Sequence, residues 1–146
     1  MDNTNRLLLG EILLERKCIT KEQLAHALDY QKKENGFVGE ILVKLGYLEE
    51  RDIVVALVVQ CGLPYIAINK YTVDEPIIKL IPEDVARRER LIALDRIGDV
   101  LSVVMTNPLS IEKKQMLENL TQCRVATFIA TKTEIDQAIE RHYNRG

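Results

Sequence analysis

Laid over itself at an offset of 29 residues, the chain superposes Gly10 on Gly39, Leu13 on Leu42, Leu24 on Ile53, Leu28 on Leu57 and Gln31 on Gln60. The offset needs no gap, and the intervening pairs agree as well: Leu9 with Val38, Glu11 with Glu40, Ile12 with Ile41, Ile19 with Leu48, and Ala27 with Ala56. A duplication this regular forces both copies into the same local structure, so residues 1–65 read as one unit written twice. Within each copy the apolar residues recur at intervals of three and four, which predicts a short helix, a turn and a longer helix.

The helix ends carry their own signals. Thr20 followed by Gln23 is a capping box, and Ile19 stands where it can staple onto Leu24, so the longer helix of copy one begins there. Copy two keeps the staple as Leu48 with Ile53 but has Glu49 at the cap. Gly46 ends the second short helix, where a left-handed residue is usual. Lys17 takes that place in copy one, at a cost of about 1 kcal/mol.

Two features exceed what a plain scaffold requires. The expected inward stripe runs Leu24, Ala27, Leu28, Gln31 and again Ile53, Ala56, Leu57, Gln60, so an amide recurs where an apolar residue normally sits. One reading has each glutamine satisfying a nearby turn. The other has it reading the polar edge of a ligand, since an amide both donates and accepts. Gly10 and Gly39 open the short helices, where free N–H groups favour an anion and a glycine permits close approach. Close packing of one helix on another explains a glycine there equally well. Its recurrence in both copies suggests two equivalent half-sites for a ligand with two similar halves.

The net charge of −2 and pI near 5.8 supply no broad cationic surface, which argues against a general grip on nucleic acid. Cys18, Cys61 and Cys123 are odd in number and widely spaced, unlike zinc or redox motifs, and read as reduced cytosolic thiols. The first residues hold no long apolar stretch of a secretion signal. The longest apolar run, Ile53 to Val59, is seven residues, against roughly 20 for a membrane-crossing helix. A cytoplasmic protein without direct membrane insertion is expected.

Gly62-Leu63-Pro64 breaks the repeat, and a second subdomain is expected over residues 66–146. Tyr65 to Ile68 reads as a short strand leading into it. A helix over 74–88 is interrupted or restarted at Pro82, and strands over 91–94 and 100–105 form a hairpin about Gly98-Asp99. Ser110 caps a helix through Leu120, 125–130 is a third strand, and Thr131 with Glu134 boxes the closing helix. The expected fold class is α+β: an all-helical tandem helix-turn-helix repeat, then a small sandwich of helices on an antiparallel sheet of three to four strands.

No phosphate loop of the Gly-x-x-x-x-Gly-Lys-Ser/Thr type, no His-Glu-x-x-His and no paired glycines after a strand occur. His26 and His142 each stand alone on helices and read as surface residues. Cys61 reads as a buried helix-end cysteine rather than a nucleophile. Arg87-Arg88-Glu89-Arg90 is a short basic cluster, a solvated face or a contact for an acidic partner. Neither a cofactor nor a resident metal is expected.

The series Leu9-Gly10, Leu13, Leu24, Leu28, Gln31, then Val38-Gly39, Leu42, Gly46, Ile53, Leu57, Gln60 resembles the tandem motif of MshEN-type domains, the N-terminal domains of type II secretion and type IV pilus ATPases. Ile81-Pro82-Glu83-Asp84-Val85-Ala86-Arg87-Arg88, Met105-Thr106-Asn107-Pro108 and Thr133-Glu134-Ile135-Asp136-Gln137-Ala138-Ile139 extend the resemblance over nearly the whole chain. It implies a cytoplasmic, non-catalytic regulatory domain that binds cyclic di-GMP across the two copies. The apolar positions would cradle the guanines, with the glycine backbones near the phosphates. It equally implies an adaptor that docks onto an inner-membrane platform protein or an ATPase, since members of the family do that with the same region. The family's first motif begins with an arginine just before Leu-Gly, and here that position is Leu8. Leucine supplies neither base stacking nor a phosphate contact.

Overall fold

The computed structural model describes residues 9–34, 36–106 and 111–143. Leu8, Asn107, Pro108 and Ser110, each invoked above, lie outside them. The chain divides into two compact units, Met1–Gly62 and Leu63–Gly146.

In the first unit the described elements are α1 (Leu9–Glu15), α2 (Lys21–Glu34), α3 (Val38–Lys44) and α4 (Glu50–Cys61), so each copy is a short helix followed by a longer one. Local chemistry sets the ends. Thr20 N–H donates to Gln23 Oε1 at 2.9 Å and Gln23 N–H to Thr20 Oγ1 at 3.1 Å, the reciprocal box that starts α2. At the start of α4 the Glu49 N–H donates to Asp52 Oδ2 at 2.8 Å. Both short helices end in the same Schellman pattern. Cys18 N–H reaches Leu13 O and Lys17 N–H reaches Leu14 O, each at 2.9 Å. Their counterparts Tyr47 to Leu42 and Gly46 to Val43 each measure 3.0 Å. Lys17 adopts φ +60° to make this turn, where copy two uses Gly46 at φ +81°.

The short helices are the centre of the unit. α1 packs on α2, α3 and α4, while α3 packs on α2 and α4, so each longer helix leans on the short helix of the other copy. Ile12, Leu13, Ile41, Leu42 and Leu57 are almost fully buried, with Ala27 and Ala56 beneath the longer helices.

The second unit carries α5 (Glu75–Ile78), α6 (Glu83–Glu89), β1 (Leu91–Ile97), β2 (Val100–Met105), α7 (Ile111–Thr121), β3 (Arg124–Ile129) and α8 (Lys132–Tyr143). The helix expected over 74–88 is thus two short ones, split by the Leu80 to Pro82 stretch that Pro82 cannot bridge with an N–H. β1 and β2 pair antiparallel, from Leu91↔Met105 to Ile97↔Val100. Gly98 turns the hairpin at φ +61°, a conformation that favours glycine.

The expectation of an antiparallel sheet holds for that pair and fails for the next. β2 and β3 run parallel, from Val100↔Arg124 to Met105↔Ile129, so the three-stranded sheet is mixed. A parallel neighbour needs a crossover, and α7 supplies it. Tyr65 to Ile68 is likewise not a strand. Tyr65 makes a single parallel bridge to Ile129, and Ile68–Lys70 is a 3-10 turn. Leu91, Ile92 and Ala93 are buried in succession, which requires cover on both faces of β1 at that end, and α5, α6 and α8 all pack on this strand.

His142, expected on the surface, is buried. Its Nε2 accepts the Val73 N–H at 3.1 Å while Nδ1 donates to Ala138 O at 2.9 Å, which fixes a neutral ring with the proton on Nδ1. The basic cluster is paired within the unit. Arg87 donates to Glu83 and Glu140, each at 2.7 Å, and Glu89 accepts from Lys113 at 2.7 Å and Arg88 at 3.1 Å.

Candidate functional site

All thirteen positions singled out in the sequence lie in the first unit, and burial sorts them. Leu9, Gly10, Leu13, Gly39, Leu42 and Leu57 are buried. Leu24, Gln31, Val38 and Ile53 are half-buried, and Leu28, Gly46 and Gln60 are exposed. The first group builds the helical unit, and only the others present side chains or backbone to a molecule approaching from solvent.

The expected inward stripe therefore needs correcting. In α2 the buried line runs through Ala27, and Leu28, about 100° further round the helix, is 39% exposed. In α4 the same register buries both Ala56 and Leu57. Equivalent sequence positions have become inequivalent surfaces, open in copy one and sealed in copy two. The glutamines diverge as well. Gln31 Nε2 donates to Gly36 O at 2.8 Å, the turn-satisfying role, whereas Gln60 is exposed at the end of α4. At Gly10 a Cβ would lie 2.7 Å from Leu24 Cδ1, so this glycine lets α1 and α2 approach closely.

Contacts between the copies were not legible in the sequence. His26 Nδ1 is hydrogen-bonded to the Tyr47 hydroxyl, and the Lys44 ammonium stands 5.1 Å from the centre of the Tyr30 ring. Hydrogen bonding to Tyr30 raises the Lys44 ammonium above its ordinary range. Both pairs fasten α2 of copy one to α3 and its following turn in copy two. On α4, Val55, Val58 and Val59 are exposed by 47%, 37% and 62% and share one face at helical spacing.

Burial pushes the Cys61 thiol up, the reverse of an activated nucleophile. No group of three or more His, Cys, Asp or Glu residues is arranged to hold a metal ion among the described residues. The second unit has a cavity of about 300 Å³ lined by Tyr71, Thr72, Asp74, Ile77, Leu94 and Asp95. The β-bulge at Leu94 shapes its strand wall. Two carboxylates in that lining give the wrong sign for an anionic nucleotide. Among the described residues no helix is long and apolar enough to cross a membrane.

The chain is a tandem helical unit followed by helices on a small mixed sheet, and comparison with known proteins identifies its family. The MshEN domain model matches residues 61–146, and the chain belongs to the MshEN domain family. Among curated proteins, the type IV pilus assembly ATPase PilB of Myxococcus xanthus is 36% identical over 135 residues, and PilB of Thermus thermophilus is 30% identical over 137. The matches take in 92% of this chain but only 24% and 15% of those relatives. Among solved structures, MshE with cdg superposes with a TM-score of 0.70 at 31% identity, covering 92% of this chain and 98% of that one. The N-terminal domain of XpsE superposes with a TM-score of 0.78 at 19% identity, over 97% of both chains, and shares the fold. The chain thus resembles the N-terminal domain of type II secretion and type IV pilus ATPases.

Proposed function

We propose that this chain is a non-catalytic regulatory module of a pilus- or secretion-type ATPase machine, and that it binds cyclic di-GMP on the duplicated unit. The observation that carries the reading is the gapless tandem motif, together with a likeness over 98% of the MshE structure solved with cdg, an abbreviation of this dinucleotide. In this division of labour residues 1–65 hold the ligand and residues 66–146 form the α+β subdomain. The protein works in the cytoplasm, at the inner membrane only through a protein partner, and needs no cofactor.

Burial selects the contacting groups. Leu24, Leu28 and Gln31 of copy one, with Val38, Gly46, Ile53 and Gln60 of copy two, are the accessible members of the motif. Leu9, Leu13, Leu42 and Leu57 hold the helices that present them. A guanine face laid on Leu28 buries apolar area worth about 25 cal/mol per Å². Isothermal titration with cyclic di-GMP, against GTP and cyclic di-AMP, is the test. One dinucleotide per chain is expected, with loss of binding and retained folding in Leu28→Asp. Leu57→Asp is expected to unfold the unit, because it puts a charge where the side chain has no solvent access. Absence of heat at high micromolar ligand, or binding undiminished in Leu28→Asp, refutes the proposal.

A second reading draws on Leu8 and on the exposed valines of α4. In it the chain is an adaptor that docks on a membrane-platform protein or an ATPase and takes no nucleotide. It is favoured if a partner is retained from an inner-membrane extract irrespective of added dinucleotide, with the titration silent.

A further inference from the structure

The second half of α8 is stitched to the segment that leads into α5, and one of the stitches is made by a titratable ring. Asn69 Nδ2 donates to Gln137 Oε1 at 2.8 Å, and Arg141 donates to Asn69 Oδ1 at 3.4 Å and to Tyr71 O at 3.2 Å, all on the exposed side of the seam. The buried stitch is the Val73 N–H donating to His142 Nε2 at 3.1 Å. A backbone N–H can only donate, and the Ala138 carbonyl at Nδ1 can only accept. Both ring nitrogens are therefore committed, and the ring keeps its bonds only while Nε2 carries no proton.

A proton on Nε2 would set two N–H donors against each other and place a cation in a buried site. The ionisable groups on the elements packed against α8 have other commitments or lie open to solvent. Lys79 pairs with Glu75 at α5, Arg87 of α6 with Glu83 and Glu140, and Arg88 with Glu89. On β1, Arg96 donates through Nε to Gly98 O and through its backbone N–H to Asp95. Lys70, Asp74 and Asp84 are exposed. Asp74, next to Val73, favours a charged ring while Lys70 and Arg141 oppose it, and water screens all three. Burial and donor geometry decide. We propose that His142 is a proton-operated latch: uptake of one proton at Nε2 releases the end of α8 from residues 69–73 and uncovers the buried Ile68, Val73 and Ile139. Folding then excludes a proton that the open and unfolded chains take up below about pH 6.5, so the stability is full above that pH and is lost as the pH falls.

The test compares wild type with His142→Gln from neutral pH down to about 5, by urea denaturation and amide exchange, with the His142 ring nitrogens followed by NMR. Glutamine offers Val73 an acceptor oxygen but does not titrate. The unfolding constant of wild type should rise by up to about tenfold per pH unit below about 6.5, with a shallower rise in His142→Gln. His26 is present in both chains, so the difference between them belongs to His142. The Val73 amide should exchange through a less costly opening than the amides of β2, and that opening should become more frequent with the same pH dependence. In the folded chain the ring should stay in the Nδ1–H form. Equal pH slopes in the two chains would overturn the latch, as would a ring that takes up its proton near pH 6.5 with Val73 still protected. Exchange of Val73 only together with β2 would show that no separate opening exists. If His142→Gln does not fold, the ring shifts and the Val73 exchange of wild type decide alone.

Discussion

Lys17 shows how closely the duplication constrains single residues. A Schellman turn requires φ near +60° at its left-handed position, copy two meets this with Gly46, and copy one meets it with a lysine at φ +60°. Lys17→Gly is therefore expected to stabilise the chain by about 1 kcal/mol, read as a rise in the urea midpoint without change of slope. No gain would mean that the lysine side chain makes a compensating interaction. At this scale the sequence was legible wherever partners are three or four residues apart. The boxes at Thr20–Gln23 and Thr131–Glu134 both formed, the latter with Thr131 N–H to Glu134 Oε1 at 2.9 Å. It was opaque where the partner is distant. His142 is buried against Val73, far away in the chain, and no local pattern marks a histidine for that contact.

At the scale of elements, Glu89 joins α6 to α7. Burial acts to raise this carboxyl, but hydrogen bonds from Lys113 and Arg88 outweigh it and hold the group below its ordinary 4.5. A carboxyl lowered by folding contributes stability above its ordinary value and loses it as the pH falls through the lowered one. Stability should accordingly drop on acidification below 4.5. Glu89→Gln should be less stable at neutral pH and should lack that part of the acid dependence, as measured by urea denaturation at a series of pH values. Identical acid limbs would show that the ion pairs add nothing. Elements themselves were read well from period and caps. What failed was pairing: the parallel β2–β3 contact depends on where α7 returns the chain, and Tyr65 could not become a strand with only Ile129 to bridge.

Across the whole molecule the chain is a family module whose tandem half was visible from its repeat and whose second half matches the family model directly. The candidate site was legible as a set of positions but not as a surface. Repetition equates Leu28 with Leu57, yet the packing around each copy exposes the first by 39% and seals the second completely. Helical period alone cannot separate them. The proposed function therefore rests on the accessible members of the motif acting together on one face of the helical unit. Amide and methyl chemical-shift mapping during titration with cyclic di-GMP tests this directly. The account predicts saturable shifts at Leu24, Leu28, Gln31, Ile53 and Gln60, with residues 66–143 largely unmoved. Shifts confined to the second unit, or none at saturating dinucleotide, would contradict it.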